Sequence, residues 1–481
     1  MKLSIVVLFV LAGVTAFAQK KKNVADDLKT GIAKSLDGTY EQYKSIALNI
    51  WNYAELGYKE TQSSALLQKT LSENGFTVTP GVAGIPTAFV ATYGTGKPVI
   101  GILAEFDALP GLSQEAVPER KAIEGKAGGH GCGHHLFGTA SVAAGIELKN
   151  LIESKKLNGT VRVYGTPAEE GGSGKVYMVR EGLFSDVDAV IHWHPGAENA
   201  VTMMSALANK SAKFRFYGVS AHAAASPEKG RSSLDAVEAM NHMVNMMREH
   251  IPHDARIHYV ITNGGKAPNV IPDFAEVYYY VRHPKRDVVV QLFDRVVNTA
   301  KGAALGTDTK MDFEIIGGTH DLLINRTLAE VMQKNLERVG GITYSETEFE
   351  FGKKLQSTFS FNAAPISLAS TVLPLKAEKD AGGGSTDVGD VSYTVPTVGL
   401  RSATWVPGTP AHSWQAVASG GTEIGTKGMM VAAKTMAMTA IDLFLDTSII
   451  DRAKAELKRE VGGYSYQALL GDRLPALNYR D

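Results

Sequence analysis

The sequence predicts an α/β protein carrying a second, α+β domain inserted into the first. Three observations predict it. Apolar, strand-like runs at 98–104, 160–164 and 188–191 each lead into acids or histidines, which is how open α/β sheets place functional groups at the carboxyl ends of their strands. Between 210 and 317 the pattern changes to β-α-β-β-α-β, a ferredoxin-like order. From 318 the first pattern resumes, so the second domain interrupts the first. At 481 residues the chain is also too long for one core.

Composition narrows the function classes. The net charge of −1 offers no basic surface for nucleic acid and no acidic tract for disorder. Residues 1–18 read as a secretory leader: Lys2, an apolar run from Leu3 to Phe17, and the small-residue site Ala16-Phe17-Ala18. The run is too short to span a bilayer, no later stretch has 18 uninterrupted apolar residues, and no cysteine near residue 18 would accept a lipid. A soluble, periplasmic or secreted protein is expected. The division expected is 1–18 leader, 23–209 first part of the main domain, 210–317 inserted domain, 318–447 second part, and 448–481 a C-terminal tail with no assigned role.

Taken in order, helical spacing runs through Tyr43, Ile46, Ile50 and Ala54, and again from Thr61 to Leu71, where Asn74-Gly75 stops it. Strands follow at 87–93 and 98–104, the latter entering Glu105-Phe106-Asp107-Ala108-Leu109-Pro110. A small-residue helix is expected over 136–152. The strand 160–164 ends in Thr166-Pro167-Ala168-Glu169-Glu170-Gly171-Gly172, and 188–191 runs into His192-Trp193-His194-Pro195. The inserted domain should comprise strands at 211–217, 255–262, 275–282 and 309–316, with helices at 233–249 and 286–303. The methionines of the first helix (Met240, Met243, Met246, Met247) suit a core or a subunit contact better than a cofactor site. After 318 come a helix near 326–339, a strand at 395–400, His412 in a Pro/Gly-rich loop, and a long helix over 421–446.

The stretch GGHGCGHHLFGTA, residues 128–140, holds the only cysteine, Cys132, among His130, His134 and His135. Glycines between them let the backbone turn tightly enough for several side chains to face one ion. A lone cysteine in an exported chain has no internal disulfide partner, so it is buried filler or chemically employed. With Cys132 the candidate ligands are His130, His134, His192, His194, His412, Glu105, Asp107, Glu169, Glu170 and Asp387. Mixed sulfur, nitrogen and oxygen donors suit Zn²⁺, with Mn²⁺, Co²⁺ or Ni²⁺ possible. Adjacent glutamates allow one to bind metal while the other takes a proton from an activated water.

The set GCGHHLFGTA, TPAEEGG, HWHPG, SAHAAASPEKG, APNVIPD and PGTPAHSW resembles the metallo-amidohydrolase and peptidase family of carboxypeptidase G, aminoacylase and the auxin-conjugate amidohydrolases, nearest its aminobenzoyl-glutamate hydrolase branch. The motifs fall in family order across residues 40–445. The resemblance implies a mixed-sheet, two-metal exopeptidase-type domain with an inserted ferredoxin-like dimerisation lid, pairing with a second copy or a sister subunit. It implies that Cys132 takes the bridging position of an aspartate in other branches. His134, Glu170, His194 (rather than His192) and His412 are the remaining ligands, and Glu169 is the general base. Asp107 is the acid that orients a ligand histidine. On the lid, His222 would stabilise the oxyanion across the dimer, while Asn269 and Arg282 would hold the substrate's carbonyl and carboxylate. One departure stands: Glu105 replaces a metal-binding histidine of other branches. It is left without a role, at the surface or supporting a ligand, and His130 and His135 lack counterparts beyond lining the pocket.

The expected activity is hydrolysis of an N-acyl or N-aroyl amino acid such as aminobenzoyl-glutamate, or of a dipeptide or indole-acyl amino acid. The competing readings are a Cys132 nucleophile paired with a histidine, a non-catalytic binding protein on the same fold, and a closed structural zinc site.

Overall fold

The computed structural model describes residues 24–377 and 380–480; the expected leader lies outside them. A seven-stranded mixed sheet forms the main domain. Its order is Thr77–Pro80, Phe89–Thr95, Gly159–Gly165, Val99–Ala104, Ala189–Gly196, Thr397–Ala403, Ala200–Val201. The four central strands, from Gly159–Gly165 to Thr397–Ala403, run parallel and the flanking pairs antiparallel. Val99–Ala104 is buried along its whole length, as a parallel strand covered on both faces must be.

The helix His134–Glu153 is buried from His134 through Lys149 and packs against the equally apolar Glu423–Leu445. Small residues on every side of both helices allow this close approach. By length and composition alone Glu423–Leu445 could cross a membrane, but 83% of its most apolar window is buried inside the fold, as in a core helix.

The inserted domain is a four-stranded antiparallel sheet ordered Arg256–Asn263, Phe274–His283, Ala208–Tyr217, Lys310–Thr319. Phe274–His283 alternates strictly, sending Ala275, Val277, Tyr279 and Val281 inward against the helices Ser233–Met247 and Arg286–Gly306. Met240 and Met247 join that core, whereas Met246 is exposed.

The element order matches the sequence pattern, with ends displaced by a few residues. Two helices were not anticipated: Glu346–Gln356 and Trp414–Gly420. The first had a legible start, since Ser345 and Glu348 form a reciprocal capping box.

Candidate metal centre and its surroundings

The parallel strands deliver the candidate residues to one edge. Val99–Ala104 runs into Glu105 and Asp107, Gly159–Gly165 into Glu169 and Glu170, and Ala189–Gly196 holds His194 near its end. The Cys132 loop is seated on the last of these through Gly133. That residue has φ 79°, and a Cβ on it would lie 2.7 Å from the Pro195 ring. A side chain there would be strained and would push Cys132 off the strand end. His412, itself at φ 57°, donates its backbone N–H to the Gly131 carbonyl at 3.0 Å, closing the ring of segments. A left-handed backbone at a non-glycine residue is strain of the kind tolerated at functional sites.

Three sets of ligand atoms lie within 4.8 Å of one another: Cys132, His134 and His194; Cys132, Glu170 and His412; and Glu105, His134 and Glu169. The first two share the thiol. Cys132 Sγ is 3.3 Å from His194 Nε2, and His412 Nε2 is 3.0 Å from Glu170 Oε1. His194 Nδ1 donates to the Pro195 carbonyl at 2.7 Å and His134 Nδ1 to Asp107 Oδ1 at 2.9 Å, so each ring turns its Nε2 into the cluster. His134 Nε2, Glu105 Oε2 and Glu170 Oε1 are buried without hydrogen-bond partners. His134 Nε2 and Glu105 Oε2 are 3.1 Å apart yet out of hydrogen-bond alignment. Lone pairs that converge without bonding one another fit a cation.

Electrostatics sharpen the picture. Burial and the neighbouring Glu170 push the Cys132 thiol up, while His134 pulls it down. Burial opposes protonation of His134, but Asp107, Cys132 and Glu105 outweigh it and hold its pKa well above the usual range. Burial, Glu105 and Glu170 raise Glu169 well above an ordinary carboxylic acid, against the pull of Lys175. This is a site with more negative charge than its own residues can compensate, which a divalent cation would balance.

His192 and His194 share one face of their strand, because side chains alternate with period two. Spacing therefore could not separate them; position along the strand does. His192 lies one step deeper, against Gly399 of the neighbouring strand, and belongs to none of the three sets.

Glu105 is not at the surface. Its Oε1 meets Lys175 Nζ at 2.6 Å, and Lys175 meets Asp387 Oδ1 at 2.8 Å, all three buried. Asp387 is thus occupied by Lys175, whose backbone N–H it also accepts at 2.9 Å. His130 and His135 are buried, 4.8 Å apart, and bonded to the carbonyls of Ile50 and Gly420, so they tie the loop to the helices Tyr40–Tyr53 and Trp414–Gly420. Neither Lys175 nor Glu60 was singled out from the sequence. Glu60 accepts the Ala168 N–H at 2.8 Å and supports the glutamate turn from below; burial and the nearby Asp107 raise it to about 8. A lone lysine and a lone glutamate in helical sequence carry no signal for such roles.

His222, Asn269 and Arg282 lie on the inserted domain, the first two exposed. Among the described residues, no hydrogen bond or ion pair links them to the Cys132 cluster. His222 Nδ1 accepts the N–H groups of Ala224 and Ala225, which leaves the proton on its exposed Nε2.

Comparison with known proteins accords with this geometry. A model of the peptidase dimerisation domain (M20_dimer) matches residues 194–308. The chain is 42% identical to one of the two kinds of subunit of the p-aminobenzoyl-glutamate hydrolase of Escherichia coli, over 88% of its own length and 94% of that protein's. It is 30% identical to Xaa-Arg dipeptidase of Mus musculus, over 90% and 92%. Among solved structures, an aminobenzoyl-glutamate utilization protein from Klebsiella pneumoniae superposes with a TM-score of 0.58 at 18% identity, covering 86% of this chain and 98% of that one. A dinuclear metal-binding peptidase of the M20 family from Bacillus subtilis gives 0.58 at 16%, covering 85% and 99%. With relatives this close along nearly its whole length, the chain belongs to the M20 peptidase family and is a metal-dependent amidohydrolase, a hydrolase of C–N bonds.

Proposed function

We propose that the protein cleaves the amide bond of N-acyl or N-aroyl amino acids with a free carboxylate, aminobenzoyl-glutamate first among them. The observation that carries this reading is the sharing of Cys132 by two ligand sets, with Glu169 beside them. Cys132, His134 and His194 would hold one divalent ion and Cys132, Glu170 and His412 a second, Zn²⁺ or Mn²⁺ before Co²⁺ or Ni²⁺. When bound, such ions polarise the amide carbonyl and acidify water. Glu169, kept proton-hungry by burial and by its acidic neighbours, takes the proton from the attacking water and returns it to the leaving amine. Asp107 holds His134 in the tautomer that leaves Nε2 free.

Substrate contacts come from the lid. His222 of a partner subunit, protonated at Nε2, would donate to the developing oxyanion; one such donor is typically worth a factor of about 10²–10³. Asn269 would bind the carbonyl and Arg282 the terminal carboxylate, for which a guanidinium is the natural bidentate partner. The family match over 194–308 supports pairing through this domain, with a second copy or a sister subunit. The exposed edge strand carrying Tyr259, Val260 and Ile261 supports it too. The leader-like residues 1–18 support export to the periplasm or beyond.

The test is Glu169→Ala assayed on aminobenzoyl-glutamate, acyl-aspartates and dipeptides. Turnover should vanish while metal content stays near wild type; metal loss in that variant would overturn the role of Glu169. Wild-type turnover that survives exhaustive chelation would transfer the chemistry to Cys132 as a nucleophile.

A further inference from the structure

Residues 462–480 play no part in the chemistry proposed above, yet they cross the molecule to the metal centre. At the start of the segment, Tyr464 Oη lies 3.0 Å from His320 Nε2, and Tyr466 donates to Asp390 Oδ1 at 2.8 Å. Midway, the carbonyls of Gly471 and Arg473 accept from Arg180 at 3.1 and 2.7 Å, and Arg473 pairs with Glu314 of the inserted domain at 3.3 Å. At its end, Tyr479 donates its hydroxyl to the backbone carbonyl of Glu170 at 3.2 Å, and Arg480 Nη2 donates to the same oxygen. The Tyr479 ring stands edge-on to Tyr58 at 5.5 Å, and its hydroxyl occupies the space that a Cβ on Gly57 would need.

Glu170 sits in an irregular turn that no sheet ladder holds. The turn begins at Ala168 with φ 57° and continues into two glycines. Such a backbone keeps one shape only when its surroundings over-determine it. Here the Glu170 N–H is held by Asp107 Oδ2 at 2.9 Å and its carbonyl by the two tail residues. Both polar groups of its main chain are therefore fixed, and only the side-chain torsions remain free.

We propose that Tyr479 and Arg480 are positioning residues of the metal centre, clamping Glu170 so that its carboxylate faces the ion shared with Cys132 and His412. The proposal rests on Glu170 being a ligand. It concerns the tail, which touches no ligand atom itself and acts through the Glu170 backbone.

The experiment uses the full chain with Tyr479→Phe, Arg480→Gln and the pair together, and Mn²⁺ titrated into the metal-free proteins. Tyr479→Phe keeps the ring on Tyr58 and removes only the hydroxyl, so folding is preserved. In the double variant, one of the two binding steps should weaken about 10–100-fold, as loss of a partner behind a ligand typically does, while the other stays put. kcat should fall at limiting Mn²⁺ and recover at saturation with KM unchanged, and Arg480→Lys should recover part of the affinity. Wild-type binding of both ions in the folded double variant would overturn the proposal. So would a raised KM with unchanged metal affinity, which would make Arg480 a substrate contact instead. Glu170→Gln separates the two levels. If it keeps both ions at wild-type affinity, the ligand reading falls and the clamp with it. If it loses one ion while the tail variants lose none, only the clamp falls.

Discussion

Asp107 and His134 meet at 2.9 Å, carboxylate to imidazole, both completely shut away from solvent. The other Asp107 oxygen receives the Glu170 N–H at 2.9 Å, so one carboxylate aligns a residue from each of the two Cys132-sharing sets. Asp107→Asn keeps the shape but turns one acceptor into a donor. It faces either the Glu170 N–H or the His134 Nδ1–H with the wrong sign. We expect metal affinity to drop about 10–100-fold, read by competition with a fluorescent chelator. Binding indistinguishable from wild type would remove Asp107 from the site's architecture.

Lys175 bridges Glu105 and Asp387 where no solvent reaches. Burial alone would lower its pKa, but Asp387, Glu105 and Glu169 raise it, so the ammonium is retained. Removing one partner of a buried ionic network leaves uncompensated charge. Lys175→Met should therefore lose about 3–5 kcal/mol in urea unfolding of the metal-free protein. Glu105, no longer held by Lys175, should also swing toward His134. A loss below about 1 kcal/mol, the range of ordinary surface changes, would mean that the network is no strut of the fold.

Burial, and then the Lys175 charge, lower the His192 pKa from 6.5 to about 3. The folded protein thus keeps His192 neutral where the unfolded chain protonates it. This contribution to stability is fully present above about pH 6.5 and drains away as pH falls toward 3. In that window, the unfolding free energy of the metal-free protein should lose about 1.4 kcal/mol per pH unit through this one group. In His192→Gln the acid limb should be shallower by one proton between pH 6 and 4. Parallel curves for the two proteins would show that His192 is not held neutral by the fold.

Much of this protein is legible along the chain. The strand-then-acid runs and the switch to a ferredoxin-like order are local periodicities, and they point to the two architectures with ends displaced by a few residues. Cys132 with His134, and Glu169 with Glu170, are close pairs whose chemistry depends on residue type and short spacing. Their meeting with His194 and His412 was an expectation drawn from motif order, and the folded chain brings these side chains together.

What only the tertiary structure decided are contacts between residues remote in sequence. His192 and His194 are equivalent by period and differ only in depth along a strand. Lys175 and Asp387 are 212 residues apart, and Tyr479 lies 309 residues from Glu170. Local sequence preference acts over a few residues, whereas which buried charge faces which carbonyl is set by how whole strands and a returning tail pack. The residue types carried the chemistry; the packing chose which of them face the cations and which hold the others in place.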